Sequence, residues 1–483
     1  MISKNFIKNS TIYTLAGALP MASAIVLLPF YIKYLSADTY GALAICLAFS
    51  VFTQILATYS FDSSLYIHYH EFKNDRIKLG TFISSSFLFL VGWGLALIAV
   101  LSAIGQFIFE LVWPDSTLSF YPYGLMSIFI GVFQAIGKVY NNLLQTREKP
   151  EPFFWSNVIS FGVIATLTIV GLQLYPESLL APLGSRVIAT SGVAGWALFK
   201  VFREFGVHVK SPWRDTSASF NAFTFVYQIQ QWVINYFDRF IILFFMPSAA
   251  MASVGIYDIA VKCLAPIELL LNGLNASIFP RVIKLITGQS GKKKSTPEVN
   301  RYFYGQISVI MLVICFSILV LPWIIEWFVH KSGYADAIQY LPYIAIIFIL
   351  RSMRLYFVLP YNIMKKMHRL TFISFGVSAF KIGLMILLIL QWNLYGIIIA
   401  SALAYVLEMI LLFLYLRDDY EMKFNAFKLM IGPLTLLLAI SLTEPSIGTI
   451  YPLFVHAGYC LFCIALLWFS YRKELALINP LKK

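Results

Sequence analysis

Lys and Arg crowd every second interval between this chain's apolar runs, while the intervals between those are nearly bare of them. The runs number about fourteen: 11–34, 40–67, 80–104, 120–145, 153–175, 180–200, 220–245, 253–280, 302–328, 338–362, 370–391, 395–416, 428–442 and 451–471. A helix needs about 20 apolar residues to cross a bilayer's hydrocarbon, and each run suffices, the thirteenth only barely. Of 36 Lys and Arg residues, 27 fall in the two tails and the alternate loops, and two (Lys33, Lys331) lie in or beside the other loops. The positive-inside rule therefore predicts cytoplasmic termini and cytoplasmic basic loops. The remaining seven lie inside apolar runs.

A chain that is 59% apolar and 12% charged is no ordinary soluble globule. Its net charge of +13 is accounted for by the basic loops. Topology and anionic lipid heads explain them better than nucleic acid, which is not expected as a partner. The first run is too long for a signal peptide's core and no small-residue cleavage site follows, so it is expected to remain as a helix. All five cysteines lie in apolar runs, so Cys460-x-x-Cys463 reads as packing residues, not a redox or zinc pair. The histidines show no metal spacing, and His68-Tyr69-His70 reads as an interfacial segment.

The longest basic loops, 201–219 and 282–301, are too short for a catalytic domain. Gly288-Gln-Ser-Gly-Lys292 lacks the spacing and the preceding strand of a phosphate-binding loop. The expectation is a transporter, not an enzyme, driven by a gradient. It needs no cofactor beyond a coupling ion, H⁺ or Na⁺.

A faint repeat is present. Leu35-Ser-Ala-Asp-Thr-Tyr-Gly41 is echoed by Pro247-Ser-Ala-Ala…Val254-Gly255, and Tyr140-Asn-Asn142…Lys149 by Tyr361-Asn362…Arg369, each six helices later. An even number of crossings makes the copies parallel. The predicted fold is an all-α polytopic membrane protein of about fourteen transmembrane helices. Two six-helix lobes (1–210 and 211–425), related by a parallel pseudo-twofold, surround a central cationic cavity; 426–483 adds two helices and a tail.

Arg351 and Arg354 share one face of the tenth run with no carboxylate in their own helix. Burying such charges in hydrocarbon is costly, so they are expected to line an aqueous cavity that receives an anion; pairing with acids on other helices is the competing reading. Lys138, Arg186, Arg239, Lys262 and Lys381 complete seven intramembrane cations, against five acids: Asp62, Asp238, Asp258, Glu268 and Glu408. The excess of two suits a negatively charged cargo. Asp258 and Lys262, four apart, can satisfy each other, Arg186 can serve as an outer interfacial anchor, and Lys381 has no local partner. Gln228, Gln231 and Asn235, followed by Asp238-Arg239, form a polar stripe suited to water, sugar hydroxyls or another helix. Pro20 and Pro266 favour kinks.

The segment Leu28-Pro-Phe-Tyr-Ile-Lys-Tyr-Leu-Ser36-Ala-Asp-Thr-Tyr40-Gly41 resembles a signature of bacterial lipid-linked oligosaccharide flippases of the multidrug/oligosaccharidyl-lipid/polysaccharide exporter superfamily. Val254-Gly255-Ile-Tyr-Asp-Ile-Ala-Val-Lys262 and Asp238-Arg239 resemble its second-lobe segments. The resemblance implies alternating access and an undecaprenyl-diphosphate-linked sugar unit as cargo, moved across a bacterial cytoplasmic (inner) membrane alongside other polysaccharide assembly proteins. Peptidoglycan-precursor members carry essential charges in the first helix, and many drug exporters a coupling carboxylate there. This chain has Ala16-Gly17-Ala18-Leu19-Pro20 instead. The expectation is an O-antigen, capsule or exopolysaccharide flippase. Arg351, Arg354 and Lys381 hold the diphosphate, with Arg239, Lys138, Lys262 and Arg186 as further substrate-facing cations. Gln228, Gln231 and Asn235 wet the sugar path, and Asp62, Asp238, Asp258 or Glu408 carries the coupling ion. The alternative is an ion-coupled multidrug exporter of the same superfamily.

Overall fold

Backbone amides in hydrocarbon must pair within their own segment, so apolar runs of this length fold as helices. The computed structural model describes residues 4–72, 74–112, 118–210, 218–246, 250–288, 293–328, 332–364, 366–436 and 450–478. Among them the helices are α1 (Lys4–Tyr34), α2 (Ala37–Thr58), α3 (Phe61–Phe72), α4 (Arg76–Val112), α5 (Leu125–Thr146), α6 (Pro150–Leu174) and α7 (Leu180–Phe205). They continue with α8 (Ala218–Phe245), α9 (Ala250–Cys263), α10 (Ala265–Thr287), α11 (Pro297–Phe328), α12 (Ala337–Ile363), α13 (Met367–Leu416), α14 (Phe427–Leu436) and α15 (Ile450–Ile478). Seven segments are long and apolar enough to span a membrane: α2, α4, α5 with its preceding turn, α6, α11, α12 and α13. The chain is a multi-pass, all-α membrane protein. Residues 289–292, Lys331, and the side chains of Pro20, His70, Cys460 and Cys463 lie outside the described set.

Two apolar runs are broken, and two others meet at a kink. The second divides at Tyr59 and Ser60, both in left-handed backbone (φ 42° and 62°), and Asp62 then stands in the first turn of α3. The eighth divides at Leu264, and Pro266 opens α10, where a missing N–H costs no helical bond. The eleventh and twelfth remain distinct: within α13 the helix is interrupted by non-helical backbone at Trp392 and Asn393 (φ 49°).

The chain forms two compact units, Met1–Gly255 and Ile256–Lys483. In the first, an aromatic core of Phe61, Phe82, Phe87, Tyr140 and Phe153 joins α3 to α6. Helix α8, expected to open the second lobe at 211, falls in the first unit. Trp232 donates to the Ala48 carbonyl at 2.9 Å and its ring meets Phe52 at 4.8 Å, seating α8 on α2. The two echoed glycines also meet within this unit: a Cβ on Gly41 would lie 1.9 Å from the Met251 carbonyl oxygen, and one on Gly255 2.2 Å from that of Ala37. Only glycine permits so close a crossing. In the second unit α12 packs on α11 and α13, and a short parallel pairing of 293–294 with 420–421 ties two loops together.

The repeat reappears in the turns. After α5, the Arg147 N–H donates to the Leu143 carbonyl and Lys149 to Leu144; after α12, Met364 donates to Pro360 and Lys366 to Tyr361. Each turn is clamped to a later acid. Arg147 grips Glu204 with both guanidinium nitrogens, while Lys366 and Arg369 hold Asp419.

Candidate functional site

The intramembrane charges have partners. Arg354 forms a two-pronged pair with Glu408 of α13, Nε to Oε2 at 2.6 Å and Nη2 to Oε1 at 2.7 Å, and Ser374 adds a hydroxyl at 3.3 Å. The Glu408 side chain is 1% exposed and that of Arg354 12%. Arg351, on the same face one turn earlier, pairs with Glu268 of α10 at 3.0 Å. These pairs match the competing reading, in which the two arginines meet carboxylates on other helices. Their helix carries none, but two neighbouring helices each supply one, because a buried guanidinium without a counter-charge is costly. Lys262 pairs with Asp258 at 2.6 Å one turn away. Lys381 is buried and is not an isolated group.

In the first unit Asp62 is a junction. Lys138 of α5 meets its Oδ2 at 2.9 Å, and Gln228 Nε2 of α8 donates to both carboxylate oxygens at 3.2 and 3.3 Å. The break at Tyr59–Ser60 is what turns this carboxylate toward two other helices. Farther along α8, Asn235 donates to the Gln231 carbonyl at 2.7 Å. Arg239 Nη1 bonds the Asn235 carbonyl at 3.1 Å and the Asp238 carboxylate at 2.8 Å. The Gln228 Oε1 and Gln231 Nε2 atoms are buried without a hydrogen-bond partner among the described residues. The stripe is thus partly absorbed by its own helix and by Asp62. Arg186 is buried: its Nη1 donates to the Tyr31 hydroxyl at 3.2 Å and the Pro182 carbonyl at 2.8 Å.

Each of the five acids thus holds one cation. Of the seven cations, three lie with two acids in the first unit and four with three in the second, so each unit keeps one positive charge in excess. Lys138 and Arg186 also share a cavity of about 430 Å³ walled by α1, α2, α5, α6 and α7. Its polar lining includes Gln54, Gln134, Asn141, Asn142, Asn157 and Ser160, none of which sequence reasoning selected as site residues. The signal was present in α5, where Gln134, Lys138 and Asn141 or Asn142 recur at helical spacing. No lining residue is acidic. Among the described residues, no three His, Cys, Asp or Glu side chains converge as a metal site.

This architecture has relatives. Among solved structures the chain is similar to the lipid II flippase MurJ in an inward closed conformation, with TM-score 0.72 and 15% identity over 98% of this chain and 100% of that one. It is also similar to multidrug resistance MATE family transporters of the MOP superfamily. The inward-facing structure has TM-score 0.60 and 12% identity over 82% and 95% of the two chains; the outward-facing one has 0.52 and 14% over 86% and 95%. At such identities the likeness is one of fold. No curated protein matches the sequence. The polysaccharide biosynthesis protein family matches residues 6–286, more than half the chain. The chain belongs to that family.

Proposed function

We propose that this protein is a flippase of the MOP superfamily that carries an undecaprenyl-diphosphate-linked oligosaccharide repeat unit across a bacterial cytoplasmic membrane. Its place is in O-antigen, capsular or exopolysaccharide biosynthesis. The observation that carries the reading is the polysaccharide biosynthesis family match over residues 6–286 in a chain with a transporter's fold. The excess of one cation in each unit supports an anionic cargo and speaks against cationic drugs. Arg351, Arg354 and Lys381 hold the diphosphate, the first two by sharing their guanidinium groups with Glu268 and Glu408. Arg239, Lys138, Lys262 and Arg186 add positive potential, and Gln228, Gln231 and Asn235 meet sugar hydroxyls. Asp62, Asp238, Asp258 or Glu408 carries a coupling H⁺ or Na⁺ by exchanging it against its paired cation. The termini and basic loops face the cytoplasm.

The test is a deletion strain complemented with wild type or with Arg351→Gln/Glu268→Gln, which removes the charge without leaving a lone buried partner. Wild type restores surface polysaccharide; the double variant reaches the membrane but leaves lipid-linked units accumulated inside. A deletion strain with normal polysaccharide and heightened drug sensitivity overturns the reading in favour of a multidrug exporter.

A further inference from the structure

Several polar groups around the 430 Å³ cavity of the first unit have no hydrogen-bond partner among the described residues. Asn141 Oδ1 accepts from the Ser156 hydroxyl at 2.9 Å, and Asn157 Nδ2 donates to the Phe153 carbonyl at 2.7 Å. The side chains of Gln54, Gln134, Asn142 and Ser160, however, make no hydrogen bond to any described residue. Amides on membrane helices normally find partners, because leaving them bare in hydrocarbon is costly. Here three of them, from α2 and α5, line one concavity. Among the described residues the Arg186 guanidinium is engaged through Nη1 alone, which leaves its Nε and Nη2 donors.

This mixture narrows the ligand. A phosphate would call for clustered cations, whereas neutral amides and hydroxyls outnumber the cations here. Amides that both donate and accept match the vicinal hydroxyls of a sugar, and Phe133 and Phe161 offer apolar surface for a ring's C–H face. The volume falls in the range of about 300–1,000 Å³ usual for small-molecule sites. It suits a mono- or disaccharide and not a whole lipid-linked unit.

Resting on the flippase reading, we propose that this pocket is a carbohydrate subsite that takes one or two rings of the cargo and favours an acidic sugar, whose carboxylate meets Arg186. Gln134 and Asn142 bind the ring hydroxyls, and Lys138, held by Asp62, completes the rim.

The probes are methyl β-glucuronoside and methyl β-glucoside, titrated by saturation-transfer NMR against the full chain in nanodiscs. The glucuronoside is expected to bind about tenfold more tightly than the neutral glycoside. Gln134→Leu and Asn142→Leu each weaken binding about fivefold yet leave the unfolding midpoint unchanged or raised, since each removes an amide that no described residue hydrogen-bonds. Arg186→Gln abolishes the preference for the acid and spares the neutral glycoside. Absence of saturation transfer from either glycoside, which would make the cavity a water-filled vestibule only, overturns the proposal. So does a loss of stability in both Leu variants with affinity intact, since the amides would then be structural. Complementation separates the two readings. A deletion that leaves polysaccharide normal removes the flippase reading; a deletion that abolishes it, fully rescued by Gln134→Leu/Asn142→Leu, removes only the subsite.

Discussion

The Arg354–Glu408 pair permits a test that separates holding the fold from holding cargo. Both groups are buried and joined by two hydrogen bonds at 2.6 and 2.7 Å. Glu408→Leu takes away the guanidinium's two-pronged partner, and Arg354→Met leaves the carboxylate with only the Ser374 hydroxyl of that cluster. Removing one member of a buried pair costs about 3–5 kcal/mol. Replacing both with apolar residues of similar volume is often neutral or stabilising by about 1–4 kcal/mol. The double variant Arg354→Met/Glu408→Leu is therefore expected to be more stable than either single one. Unfolding by denaturing detergent reports this through thiol labelling of Cys263 and Cys315, both buried in the second unit. Each single variant should raise the unfolded-to-folded ratio by about two to four orders of magnitude, and the double should restore it. Losses that simply add in the double would refute the reasoning, because the two charges would then not compensate each other. If the double is stable and polysaccharide export still fails, Arg354 acts on cargo as well as on structure.

Two further outcomes follow from local geometry. Gly41→Val forces the Ala37–Gly41 segment away from Met251, whose carbonyl lies 1.9 Å from the new Cβ. It should destabilise the first unit by more than the roughly 1–3 kcal/mol of ordinary overpacking. Gly192→Ala, in α7 with nothing within 4 Å, should instead stabilise it by roughly 0.5–1 kcal/mol in the same unfolding assay. The hydrogen bond from Lys366, with Arg369 beside it, holds the Asp419 carboxyl below its ordinary range. Its contribution is therefore present above the ordinary carboxylate pKa of about 3.9 and is lost as pH falls through the lower folded value. Wild type and Asp419→Asn should differ in thermal midpoint at pH 7 and converge on acidification; an offset constant with pH refutes the assignment.

The helices were legible because hydrocarbon allows an apolar run few alternatives, and Asp258–Lys262 was legible because its partners lie one turn apart. The break at Tyr59–Ser60 was not, since no Gly or Pro marks it and its only local sign is the polar cluster of Ser60, Asp62, Ser63 and Ser64. The partners of the two arginines were equally hidden. Glu408 lies 54 residues from Arg354, and helical periodicity reports only neighbours on the same helix. The cavity of the first unit fell between these cases. One wall could be read from α5, but the convergence of α2, α6 and α7 upon it is a property of packing.

In the flippase we propose, the carboxylates opposite Arg351 and Arg354 have a kinetic meaning. An anion arriving at either guanidinium competes with a ligand already tethered there, so its grip is weakened by whatever that resident carboxylate surrenders. When the anion departs, Glu268 and Glu408 close in behind it, and the vacated site need not remain charged and bare in oil. Turnover depends on letting go, and a site furnished with its own displaceable substitute has a built-in route to release.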